Sequence, residues 1–170
     1  MIDLSRMLAV LHAQHVEFAM IGGMAARVHG STRVTPDVDL VYSRTDANIA
    51  RLVKALAPIN PYPRGAPPKL PFAWTTDTVK AGLNFSLQTT LGDVDLLSEV
   101  VGGGRYENLV GHCSAEKLFG HATFVVSLPW LIRLKRAAGQ PRDFEAIAEL
   151  EVIQEFTASQ QARSPGTSAS

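Results

Sequence analysis

The sequence holds a single cysteine, Cys113, among 170 residues. An internal disulfide is therefore excluded, and a reducing compartment suits the chain. Charge of neither sign is in excess, since 16 Lys and Arg balance 16 Asp and Glu. That balance excludes a strongly basic whole-chain footprint for nucleic acid and leaves room only for a local patch. No apolar run approaches the roughly 20 residues that span a bilayer, and no charged-then-apolar leader opens the chain. No internal repeat is found. These absences give the expectation of a cytoplasmic protein with no membrane partner. What is present suffices for an ordinary core: 46% of residues are apolar, and the length suits one domain with a small helical appendage.

The most informative stretch is 20–42, M-I-G-G-M-A-A-R-V-H-G-S-T-R-V-T-P-D-V-D-L-V-Y. Gly22 and Gly23 lack Cβ atoms and permit a tight turn with close approach to a ligand. A short helix-forming run follows to His29, and Gly30 ends it. The start of such a helix offers unpaired N–H groups and the positive end of its dipole, which suits phosphate. A polar bend over 31–36 then leads into Asp37-Val38-Asp39. On a strand, side chains alternate, so Asp37 and Asp39 share a face while Val38 and Leu40 turn to the core. Two such carboxylates call for a cation, and Mg²⁺ takes oxygen ligands from carboxylates and substrate phosphates together.

Elsewhere the pattern alternates helix and strand. An amphipathic helix is expected over 3–17, capped by Asp3 or Ser5, and a strand over 17–21. Thr45 caps a helix to about Ala57. Residues 58–71 hold six prolines and read as an irregular surface connection or a flap beside the site. Strands at 83–90 and 94–100 form a hairpin turning at Gly92-Asp93. Asp95, bracketed by apolar residues, completes a three-carboxylate cluster if its strand lies beside 37–42; otherwise it faces solvent. Asp93, in the turn, is assigned a structural role. Gly102-Gly103-Gly104 is a loop. Two short strands occupy 115–119 and 123–127. His112, Cys113 and His121 lack a fourth zinc ligand, and His12 and His15 receive no role. Ser127 caps a helix that Gly139 closes. A last helix runs from 142 to about 156, with Phe144, Ile147, Ala148, Leu150 and Val152 facing the core. Residues 158–170 read as a disordered tail after a domain over 1–157 whose C-terminal helices, 128–157, pack on it.

With those residues in hand, I-G-G-M-A, R-V-T-P-D-V-D-L and the later V-D-L-L together resemble the DNA polymerase β-type nucleotidyltransferase superfamily. The run L-P-W-L-I-R-L-K-R-A-A-G-Q-P-R-D-F-E-A-I-A-E-L resembles the helical tail of the bacterial minimal nucleotidyltransferases, including AbiEii-type abortive-infection toxins. The likeness covers residues 17–152. It implies an α/β (α+β) fold: a mixed β-sheet of nucleotidyltransferase type flanked by helices, with a C-terminal helical segment. It implies an enzyme moving a nucleoside monophosphate from a nucleoside triphosphate, ATP among them, to a hydroxyl acceptor, with pyrophosphate released. Asp37, Asp39 and Asp95 would be the catalytic metal ligands, holding two Mg²⁺ ions, or Mn²⁺. Asp95 would also help deprotonate the acceptor. Gly22 and Gly23 would hold the triphosphate, Arg33 and Thr35 would contact phosphate or brace their loop, Lys135 would neutralise charge and Asp143 would orient basic groups or the acceptor. The acceptor would be an RNA or tRNA end, a protein hydroxyl or a small molecule. A tRNA end would be reached through Arg33, Arg64, Lys69, Lys80 and Lys135. The toxin-like members imply a toxin–antitoxin or phage-defence setting with an antitoxin partner. The alternative is a catalytically silent binding or antitoxin module on the same fold. Two departures stand out: Gly22-Gly23 replaces the commoner Gly-Ser, and Gln140-Pro141-Arg142-Asp143 replaces Arg-Pro-Lys-Asp.

Overall fold

Asp3 begins the first element. Its side chain accepts the Arg6 N–H at 3.1 Å and caps α1 (Leu4–Ala13), which buries Met7, Leu8 and Leu11. The helix stops short of 17 because His15 adopts a left-handed conformation, φ 54°. Bonds from His15 N–H to His12 O and from Val16 N–H to Leu11 O then close the end in the Schellman manner, with histidine where glycine is usual. The computed structural model describes residues 1–164.

The chain continues through β1 (Phe18–Ile21), α2 (Gly22–Val28), β2 (Asp37–Tyr42), α3 (Asp46–Leu56), a 3₁₀ turn at Ala57–Ile59 and β3 (Tyr62–Pro63). Next come α4 (Thr76–Ala81), β4 (Phe85–Thr89), β5 (Gly92–Leu97), β6 (Glu99–Val100), β7 (Gly104–Arg105) and α5 (Tyr106–Leu109). A 3₁₀ turn at Val110–His112 precedes β8 (Cys113–Leu118), β9 (His121–Val126) and α6 (Leu128–Ala138); a third, at Pro141–Asp143, leads into α7 (Phe144–Arg163). The main sheet has the order β3-β4-β5-β2-β1-β9-β8. Pairs β2–β5 and β1–β9 are parallel and the rest antiparallel. This is the mixed sheet flanked by helices, with a helical C-terminal segment, that the sequence leads one to expect.

Local chemistry explains most boundaries. Thr45 accepts the Asn48 N–H and starts α3, and Gly139 ends α6 in the left-handed conformation. Ser127 occupies the N-cap of α6, but its side chain makes no capping bond. The β4–β5 hairpin turns at Thr90-Leu91, because Thr89 already pairs with Gly92; Asp93 therefore lies on the strand and not in the turn. The proline-rich segment starts in the 3₁₀ turn and then forms an edge strand, with Tyr62 and Pro63 paired to Gln88 and Leu87. Proline is tolerated there because an edge strand has free N–H positions.

α7 departs most from expectation. It runs through Arg163, so the residues from 158 to 163 are helical; 165–170 lie outside the described residues. Leu150 is its one buried residue among those described, while Phe144 and Val152 are exposed at 67% and 66%. The helix carries apolar residues on two sides. One side, Ile147, Leu150 and Ile153, meets the core, and the opposite side, Phe144, Val152 and Phe156, does not. Leu150→Ala is expected to cost about 2–4 kcal/mol, read as a lower midpoint in urea with α7 amides exchanging first.

Candidate active site

The tetrapeptide D-V-D-L occurs twice, at 37–40 on β2 and at 93–96 on β5. The two strands run parallel in register, with Asp37 opposite Asp93 and Asp39 opposite Asp95. Cross-strand neighbours share a face, so four carboxylates stand on one side of the sheet. Val38, Leu40, Val94 and Leu96 go to the other side and are essentially inaccessible. Burial of those four fixes the register, because a slip of one residue would exchange the acids for the valines and leucines.

The glycine pair makes room for this cluster. Gly22 has φ +68°, and a Cβ placed on it would lie 2.1 Å from Asp39 Oδ2. A Cβ on Gly23 would lie 2.8 Å from Thr35 Oγ1. The close approach is thus to the carboxylate and the threonine of the protein itself. Thr35 Oγ1 in turn donates to Asp37 Oδ1 at 3.1 Å and orients it.

The site residues expected from the sequence all line one cleft of about 540 Å³: Gly22, Gly23, Arg33, Thr35, Asp37, Asp39, Asp95, Lys135 and Asp143. A second space of about 240 Å³ shares Gly22, Asp39, Lys135, Arg142 and Asp143 with the first and is walled by Leu97, Leu131 and Leu134. The two spaces share the wall that includes Asp39, the first with a mixed lining and the second a more apolar one.

The cations around the carboxylates are mostly engaged. Lys135 pairs with Asp143 at 3.5 Å, both side chains mostly buried. Arg33 pairs with Glu145 at 3.1 Å and Glu149 at 3.2 Å on α7, so it braces its loop. Glu149 also accepts from Ser31 Oγ and from the N–H and Oγ of Thr32. It latches the loop carrying Thr35 to the last helix. The Thr32 N–H holds the Glu149 carboxyl below its usual range. That latch is therefore complete above the ordinary Glu pKa and lost as pH falls through the lowered one. Glu149→Ala is expected to cost about 1–3 kcal/mol and to raise hydrogen exchange at Thr32 and along α7. Unchanged exchange in the loop would show that Glu149 does not couple the two. Arg142 lines the cleft and has no carboxylate within 4.0 Å among the described residues.

One guanidinium lies among the acids. Arg64 approaches Asp37 at 3.6 Å, Asp93 at 3.2 Å and Asp95 at 3.2 Å. Even so, Asp95 Oδ1 is buried without a directed hydrogen bond. Burial raises the Asp39 pKa to about 7, with further contributions from Asp37 and Asp95 that Lys135 and Arg64 only partly offset. The cluster is short of positive charge.

Those features fit a hard divalent cation: a buried carboxylate oxygen, Asp95 Oδ1, whose neighbour at 3.2 Å is the Arg64 guanidinium without a directed hydrogen bond, a carboxyl held back from ionising, and only oxygen donors. No three His, Cys, Asp or Glu side chains converge on one metal-sized point among the described residues; the Arg64 guanidinium lies between three of the carboxylates instead. From the sequence, Asp93 has only a turn role and Arg64 only a reach toward tRNA, while Arg142 and Glu149 have no role of their own. Asp93 is findable from the repeated D-V-D-L. Arg64 and Glu149 carry no local signal for the contacts they make. His12 stacks on His121 and His112 on Trp130, and none of these four lines the cleft. Compared with known proteins, the chain matches no family model and no curated protein.

Proposed function

We propose that the protein is a metal-dependent nucleotidyltransferase of the DNA polymerase β type, moving a nucleoside monophosphate from a triphosphate to an acceptor hydroxyl. The observation that carries this reading is the pair of D-V-D-L strands in register, with Gly22 packed against Asp39 at the start of α2. Two adjoining spaces with Asp39 in their common wall support it further, since group transfer needs room for two substrates beside one centre.

In this reading Asp37, Asp39 and Asp95 hold the divalent cations. When bound, these supply charge neutralisation at the phosphates and acidify the acceptor hydroxyl. Thr35 fixes the Asp37 carboxylate. Lys135 and Arg142 face the triphosphate, and Asp143 holds the Lys135 ammonium in place. The N–H groups of the first turn of α2 lack helical partners and suit phosphate oxygens. The acceptor oxygen bonds to the α-phosphorus as the bond to the bridging oxygen breaks. Pyrophosphate leaves with the bonding pair, and the hydroxyl proton passes to Asp95. Cofactor Mg²⁺ or Mn²⁺, a tRNA or protein acceptor and an antitoxin partner belong to the same reading. No described helix is long and apolar enough to cross a membrane.

Arg64 within the acids favours one other reading, a silent module whose carboxylates are satisfied internally. The two part in a simple assay. The enzyme releases pyrophosphate from at least one nucleoside triphosphate when Mg²⁺ and a cell extract are supplied, and label from that nucleotide appears on an acceptor. Asp37→Ala and Asp39→Ala remove both signals. Release that survives both substitutions, or release of inorganic phosphate alone, overturns the transferase.

A further inference from the structure

Arg64 stands one residue beyond the Pro63–Leu87 pair, and its N–H donates to Ser86 O at 2.9 Å. Ser86 is opposite Asp95, and Asp95 is opposite Asp39. Arg64, just past β3, thus continues the row that Ser86, Asp95 and Asp39 form across β4, β5 and β2. The small side chain at 86 lets the long arginine lie across β4 toward the acids. Its three guanidinium nitrogens each meet a different carboxylate. Arginine is suited to this because its rigid planar fork keeps its charge at all accessible pH. One positive charge among four carboxylates leaves a deficit, and the guanidinium spread over three of them reaches Asp95 Oδ1 at 3.2 Å without a directed bond.

On the reading given above, and resting on it, we propose that Arg64 is a resident counter-cation that competes with the divalent metal for Asp37 and Asp95 and so sets the metal affinity of the site. Metal loading requires the guanidinium to leave those two carboxylates while its Nε keeps Asp93, which lies outside that row and diagonal to Asp39. The main chain at 64 is held by β4, so the exchange is a side-chain rotation and not the opening of residues 58–71 as a flap. Tyr62 supports the same anchoring: its hydroxyl bonds Pro67 O and accepts the Leu70 N–H at 3.2 Å. Arg64 is in this sense a positioning and affinity-setting residue; the guanidinium keeps like charges together until the metal replaces it.

The test is a calorimetric Mn²⁺ titration of the intact chain, with melting in EDTA alongside. Arg64→Gln is expected to bind Mn²⁺ about tenfold more tightly than the wild type, to melt lower in EDTA and to gain more from Mg²⁺. Asp39→Asn is expected to lose Mn²⁺ binding. If Arg64→Gln binds equally or more weakly while Asp39→Asn still loses the metal, the competition is overturned and the metal site stands. If neither the wild type nor Arg64→Gln binds Mn²⁺, both fall. Should the glutamine variant not fold, Arg64→Lys decides: it keeps the charge but cannot bridge three carboxylates, and an affinity no greater than wild type overturns the proposal. Hydrogen exchange over 58–71 is expected to be unchanged by Mn²⁺. Broad deprotection there would replace the rotation with a flap and overturn it.

Discussion

Asp39→Asn should abolish pyrophosphate release, by on the order of 10³-fold or more, while making the metal-free protein more stable. The first effect follows from its place in the wall shared by the two spaces of the cleft and from the metal-ligand role proposed for it. The second follows from its surroundings. Burial and the neighbouring Asp37 and Asp95 push its pKa to about 7, against an ordinary value near 4. Between these two values the folded state holds a proton that the unfolded state has lost. Stability therefore falls as pH rises through this window and levels off above about 7. In EDTA the wild type should melt lower at pH 8 than at pH 5.5. Asparagine should erase this group's part of the dependence and add about 2 kcal/mol at pH 8. Mg²⁺ should restore the wild type at pH 8 and do nothing for the variant. A wild type whose melting in EDTA is flat from pH 5.5 to 8, or a variant that loses stability there, would contradict this picture of the cluster.

Gly22→Ala is expected to lower stability by about 3 kcal/mol and activity by roughly 100-fold. Two costs combine. An alanine at φ +68° carries the left-handed penalty, about 1–2 kcal/mol, and its Cβ would lie 2.1 Å from Asp39 Oδ2, which forces the carboxylate to move. Gly120 gives the control: it has φ +84°, and a methyl placed on it would meet nothing within 4 Å. Gly120→Ala carries only the backbone cost, about 1–2 kcal/mol, and leaves activity unchanged. Gly23→Ala should fall between them in activity, because its methyl would press on Thr35 and loosen the Thr35–Asp37 bond. Equal losses from Gly22→Ala and Gly120→Ala would show that backbone strain, not contact with Asp39, explains the glycine.

Much of the fold is legible one residue at a time. Asp3 and Thr45 cap their helices as their residue types imply, and Gly139 ends α6. The alternation of Asp37, Val38, Asp39 and Leu40 announces which side of β2 is polar. Other features have no such signal. α4 (Thr76–Ala81) and α5 (Tyr106–Leu109) are too short to show a period. His15 takes a position where glycine is the usual cue, so the end of α1 is hidden. The last helix is ambiguous, because Ile147, Leu150 and Ile153 offer one apolar side and Phe144, Val152 and Phe156 another; only packing chooses between them.

The sequence by itself determined most of the longer elements and the polar faces of the two acidic strands, because caps, turns and the period of two act between near neighbours. The tertiary structure alone decided what meets those acids. Arg64 reaches them from an edge strand and Glu149 ties their loop to the final helix, and both contacts depend on strand order and helix docking, which no local pattern encodes.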